Sequence, residues 1–174
     1  MTAPEKIAAP VPSATVRPRT AARLAAVQAL YQIEVSGASP ANVVTEFLRH
    51  RLGQEGEGEN FGAADDRLFA DLVEGASARR DELDRYIIAS LTPDWPLERL
   101  EIILRAILRA GAYELLARPE VPARVAISEY IDIAHAFFAG KEPGLVNGVL
   151  DRLTRSLRPR EMAERSHDRD AAAR

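Results

Sequence analysis

Between Leu97 and Leu115 the residues Leu97, Leu100, Ile103, Leu104, Ile107, Leu108, Tyr113 and Leu115 recur at helical spacing and leave little polar surface. A helix with so few polar positions has to be surrounded by other helices, so this segment predicts the central, most buried element of the fold. Pro96 fits its first turn and Pro119 closes it. Gly111, inside it, costs about 1 kcal/mol against alanine in helix propensity, which predicts a close neighbour there.

The rest of the chain supplies those neighbours. Thr20 is placed to cap a helix with Leu24, Val27, Tyr31 and Val35 on one face, ended by Ser36 and Gly37. Ser39 and Pro40 form a cap and first-turn pair for a second helix carrying Val44, Phe47 and Leu48. A long stripe from Leu68 through Leu72, Val73, Ala76, Leu83, Ile87 and Leu91 predicts one helix with Gly75 as its weak point. Pro122 opens a helix with Val125, Ile127, Tyr130, Ile131, Ala134 and Phe137, and a last one carries Leu145, Val146, Val149, Leu150 and Leu153. No stretch alternates with a period of two residues for long enough to make a strand. The prediction is an all-α compact helical bundle of six to seven helices within residues 19–157. Flanking it, residues 1–18 and 158–174 are expected to be disordered tails, and the acidic run GQEGEGEN a solvated loop.

At 174 residues and 47% hydrophobic composition, the chain supports one domain with a real core. A net charge of −3 argues against polyanion binding by the whole surface, so any such role rests on local patches. Those patches exist, because charge is segregated along the chain. From Lys6 to Ile33 the basic residues Lys6, Arg17, Arg19 and Arg23 meet no acid, whereas Gln54 to Arg85 holds ten acids against four arginines.

Several function classes lack their residues. The chain has no cysteine, hence no disulfide, thiolate metal site or cysteine nucleophile, as suits a reducing cytoplasm. His50, His135 and His167 fall in different segments with no shared pattern. Asp132 and His135 sit one helical turn apart, a spacing that an ordinary solvated ion pair explains better than a metal. No glycine-rich phosphate loop, G-x-S-x-G or H-E-x-x-H motif is present, and no apolar run approaches the roughly 18 residues of a membrane helix. The expectation is a protein that is not an enzyme, needs no cofactor and has no membrane contact.

In order and spacing, AVQALYQ, RLFADLVEG, ILRAGAYELL, VPARVAISEYIDIAHAF and LVNGVLDRL resemble the NusB family of bacterial transcription antitermination factors, over roughly Arg19 to Leu157. VPARVAISEYIDIA followed by LVNGVLD is the specific part. The resemblance implies two packed helical sub-bundles. It also implies a partner, NusE, the small ribosomal subunit protein that doubles as a transcription factor. With it the chain would bind the single-stranded boxA element of nascent ribosomal RNA and join RNA polymerase and other Nus factors. Two alternatives remain, a homodimer or non-catalytic helical module, and a relative of the RNA-binding domain of ribosomal RNA cytosine methyltransferases. The second would need an α/β cofactor domain and catalytic cysteines.

Binding a single strand takes cations along the phosphates and groups that meet unstacked bases. Arg17, Arg19 and Arg23 suit the first need at a helix N-terminus, where backbone N–H groups and the dipole also favour an anion. Arg109 interrupts an apolar helix and must either snorkel or meet an anion. The resemblance adds Gln28, Lys141, Leu145 and Asn147 to the RNA surface, and Tyr31, Leu104 and Leu145 to the partner surface. Family members often carry an aromatic residue where Leu145 stands and an acid where Lys141 stands. Thr20 and Ala21 occupy places where relatives can have more arginines. Stacking on an aromatic is worth about 1 to 3 kcal/mol per base, so Leu145 implies weaker RNA binding by the chain alone.

Overall fold

The computed structural model describes residues 17–50 and 65–173; residues 1–16 and the GQEGEGEN run lie outside them. Eight α-helices and no strand occur among the described residues: α1 (Pro18–Ser36), α2 (Pro40–His50), α3 (Asp66–Ala78), α4 (Arg80–Ser90), α5 (Ile102–Ala117), α6 (Ala123–Phe137), α7 (Glu142–Leu157) and α8 (Pro159–Ala172). A single 3-10 turn, Leu97–Arg99, leads into α5.

Local chemistry accounts for most of the boundaries. The Ser39 hydroxyl accepts from the Asn42 N–H (3.2 Å) and the Asp65 carboxylate from the Leu68 N–H (3.0 Å), satisfying orphan donors at the starts of α2 and α3. Gly37 ends α1 at φ 70°, its N–H on the Ile33 carbonyl at 2.9 Å, a left-handed cap that glycine adopts without steric cost. Thr20 is no cap. The helix begins two residues earlier at Pro18, whose missing N–H costs nothing in the first turn, and the Thr20 hydroxyl donates to Glu129 of α6 at 3.0 Å.

As the apolar pattern requires, α5 is the axis of the molecule: it packs against α1, α3, α4, α6 and α7, and Ala106 to Leu115 are all buried. Helices α1, α2 and α3 pack on one another as one sub-bundle, with Phe47 and Phe69 stacked at 5.5 Å, while α4, α6 and α7 complete the second around α5. Five buried alanines, Ala21, Ala22, Ala25, Ala26 and Ala29, let α1 approach α3 and α5 closely. Gly111 does have the close neighbours its cost implied, since a Cβ there would lie 2.9 Å from Leu150 and 3.3 Å from Tyr130.

Two expectations need correction. The stripe from Leu68 to Leu91 is two helices, broken at Arg79 and not at Gly75, and the bend carries α4 away from α3 to pack on α5 and α7. Gly75 instead clears space for the Tyr113 ring, whose hydroxyl donates to Asp71 at 2.7 Å. The segment expected to be a disordered C-terminal tail forms α8, packed along α7. Its anchor is Arg158, whose guanidinium donates to the carbonyls of Glu114, Leu115, Arg118 and Val121, closing the end of α5, while Glu161 accepts from the Ala123 N–H at the start of α6.

Gly75→Ala should therefore destabilise the fold, by about 1 to 3 kcal/mol in urea unfolding, although alanine is the better helix former; a gain in stability would show that the Tyr113 ring moves aside freely. A second expectation concerns pH. Burial, then the hydrogen bond and charge of Asp71, push the Tyr113 phenol from the usual 10.0 up to about 12, and burial beside Glu114 raises Tyr130 well above its usual value. The folded state thus keeps protons that the unfolded chain releases. The stability these two phenols contribute is fully present below pH 10 and is lost as pH rises from there toward 12. Phenolate absorbance of the Tyr113→Phe and Tyr130→Phe variants against the parent should show that these two phenols ionise only well above the usual pH or on unfolding.

Candidate nucleic-acid interface

The helix that begins α1 sorts its arginines by depth. Arg17, just before the first turn, is exposed, and no acid stands in that turn. Arg19 keeps about half of its side chain in solvent (51%), with Asp65 only loosely opposed at 3.9 Å. One turn further the same stripe enters the core. Arg23 is 2% exposed, with Nε shared between the two Glu114 carboxylate oxygens (3.1 and 3.0 Å), Nη2 on Oε1 at 2.6 Å and Nη1 3.7 Å from Glu129. Burial opposes its charge, but the hydrogen bond and charge of Glu114 outweigh that and raise its pKa above the usual value. The Tyr130 hydroxyl donates to the other side of Glu114 at 2.7 Å. Arg23 is accordingly a core residue, and its expected contact with phosphate is corrected.

Arg109 meets the same fate. Its Nε and Nη2 form a bidentate pair with Asp84 (2.8 and 3.0 Å), Nη1 reaches Glu34 at 3.3 Å, and only 7% of the residue is exposed. The anion it meets belongs to the protein. Glu34 also draws Arg80 (3.4 Å) and Arg105 (3.6 Å), so three guanidinium groups crowd one carboxylate beside Asp84. Leu104, expected on the partner surface, is 2% exposed and belongs to the core, a third correction.

The remaining candidates reach solvent. Lys141 is exposed at the start of α7, Leu145 is half-buried in its first turns against the core, and Asn147 is exposed on the next turn. Gln28 and Tyr31 are half-buried on α1, Tyr31 packing against the core. Helix α6 joins the two sets, since Thr20 and Arg23 hold α1 to Glu129 while α7 packs along α6. Asp132 and His135 are both exposed, and among the described residues no group of three or more potential metal ligands comes together. What the sequence reading missed were the acids, Glu114, Glu129, Glu34 and Asp84. A signal existed for Glu114: a carboxylate in the midst of AGAYELL has to find a buried cation.

Comparison with known proteins places this architecture. The NusB family model matches residues 20–155. The chain belongs to the NusB family. Two NusB relatives, both transcription antitermination proteins, are 50% identical over 143 residues in Caulobacter vibrioides, covering 82% of this chain and 96% of the relative, and 51% identical over 144 residues in Bradyrhizobium sp. (strain BTAi1), covering 83% and 85%. The NusB structure from T. maritima superposes with a TM-score of 0.69 at 26% identity, over 84% of this chain and 98% of that one. A NusB–NusE complex with double-stranded RNA superposes at 0.66 and 24% identity, over 82% and 99%, a likeness that shows the fold alone. The NusB match stops short of α8, and no described helix of this chain is long and apolar enough to cross a membrane.

Arg23→Met leaves Glu114 buried without its cation and should cost about 3 to 5 kcal/mol of stability. Arg23→Met combined with Glu114→Gln should recover part of that loss, because no lone charge then remains. Chemical denaturation of both variants measures this, and a single variant as stable as the parent would refute the pairing.

Proposed function

We propose that this chain is a transcription antitermination factor that binds boxA-type single-stranded RNA of nascent ribosomal transcripts together with NusE, and with it joins elongating RNA polymerase in the cytoplasm. Family membership supports the role, and the carrying observation within this chain is the exposed start of α1, where Arg17 and Arg19 reach solvent and Asp65 opposes Arg19 only at 3.9 Å. Solvent-exposed guanidinium groups at a helix N-terminus, where the dipole favours anions, suit phosphates. Lys141 adds a cation and Asn147 a group able to read a base edge, while Leu145 offers apolar contact where a ring would stack. The exposed parts of Tyr31 and Leu145 are the proposed contributions to the NusE contact. The role is binding and assembly, with no covalent step.

With few cations at this surface and no aromatic at Leu145, the chain alone should bind boxA-like RNA weakly and gain affinity when its cognate NusE is added. Arg17→Ala with Arg19→Ala should make the log–log salt dependence shallower by about 1.4, from about 0.7 for each phosphate contact on a single strand. Asn147→Ala should narrow the difference between boxA and a scrambled sequence more than it lowers affinity for either. Titrations at several salt concentrations, with and without NusE, measure all three, and a slope unchanged in the double variant would remove the start of α1 from the RNA surface.

A further inference from the structure

Helix α8 lies outside the part of the chain that the family model matches, and it folds back along α7 to leave a groove of about 560 Å³. Asn147, Asp151 and Arg155 of α7 line one wall; Arg165, Ser166 and Arg169 of α8 line the other. The charges in it do not balance. Asp151 is held by Arg155 at 3.0 Å, Arg165 donates only to the Met162 sulfur at 3.5 Å, and among the described residues neither Arg165 nor Arg169 forms an ion pair.

The acids of α8 are kept off this wall. Glu161, Glu164 and Asp168 recur three and four residues apart on a different stripe, Asp170 lies outside the groove lining, and Glu161 is tied to Arg158 (3.1 Å) and the Ala123 N–H (2.6 Å). Since Arg158 is fixed to four carbonyls, the direction of α8 is set by the fold, and its cationic stripe faces α7 by construction. Arg165 and Arg169 stand one turn apart, about 6 Å along the axis. They form a ladder of donors, suited to a chain of phosphates more than to one isolated anion.

We infer that the α7–α8 groove is a second phosphate track, which takes the single-stranded RNA onward from Asn147 and lengthens the bound segment beyond what the family domain alone would hold. The inference rests on the proposed RNA role, because Asn147 links the two surfaces. A protein segment rich in acids would meet the same cations, but the open groove offers it Met162 as its one large apolar contact, and Asn147 and Ser166 supply hydrogen bonds that suit bases and riboses.

The test uses the full chain with cognate NusE and fluorescent single-stranded RNAs of about 8 and about 16 nucleotides, both centred on boxA. Arg165→Ala with Arg169→Ala should weaken binding of the longer RNA on the order of ten-fold at low salt and flatten its salt slope by about 1.4, with little effect on the shorter one. Arg165→Lys with Arg169→Lys should keep the slope. Circular dichroism of each variant checks that α8 is still helical, so that a lost helix is not read as a lost contact. If the parent binds both RNAs and the alanine variant binds the longer one with unchanged slope, the groove is overturned and the RNA role stands. Should the parent bind neither RNA, with or without NusE, both fall; tighter binding of poly-glutamate than of RNA in the groove likewise overturns the inference.

Discussion

The buried cluster of Arg23, Glu114 and Tyr130 is the constraint on which the rest of the molecule depends. It ties α1, α5 and α6 together inside the core, with three donor groups of Arg23 and Tyr130 making four hydrogen bonds to one carboxylate and Glu129 adding charge from the edge. A buried ion pair is weak evidence for net stability, because desolvating two charges costs about as much as their attraction returns. Its effect lies in selection. Any other rotation or sliding of α1 against α5 strands a charge in an apolar interior, so the alternatives are far worse than the observed packing.

That selection fixes what α1 can present to a partner. With Arg23 drawn inward and Thr20 held to Glu129, the residues before them are left at the rim, where Arg19 and Arg17 face solvent. Other arginines are likewise drawn to carboxylates of the protein. Acids from the negatively charged segment are matched by arginines of other elements, Asp65 with Arg19, Asp71 with Arg118 and Asp84 with Arg109, while Glu34 gathers three. Segregation of charge along the chain is therefore cancelled in part by folding. Free positive charge survives at the start of α1, at Lys141 and along α8, and also at Arg67, Arg85, Arg99 and Arg124, which are exposed and form no ion pair among the described residues.

Candidate site residues divided according to depth, a quantity the sequence does not carry. Arg17, Arg19 and Arg23 are equivalent as letters ahead of and within an alanine-rich helix, and only the end of the core between Arg19 and Arg23 separates a solvent cation from a structural one. For Arg109 the alternatives of snorkelling or meeting an anion were legible, but the identity of the anion was not, since Asp84 and Glu34 lie far away in sequence. Leu104 looked like surface only through resemblance; its place in the apolar stripe of the central helix already argued for the core. The groove between α7 and α8 was invisible because α8 has no buried residue, hence no apolar pattern, and owes its place to Arg158 and Glu161.

By itself, the sequence determined the class of structure and the central helix, because apolar periodicity is a local record of which face each helix must bury. It also determined the boundaries set by short-range chemistry, as at Ser39 and Gly37, and a family signature strong enough to anticipate the fold. Tertiary structure alone decided where the long stripe breaks, which arginines are spent on internal carboxylates and which remain for a ligand. Those outcomes depend on pairings between residues many positions apart, and the energy of a charge depends on its distance to partners and to water, neither of which is written in any one segment.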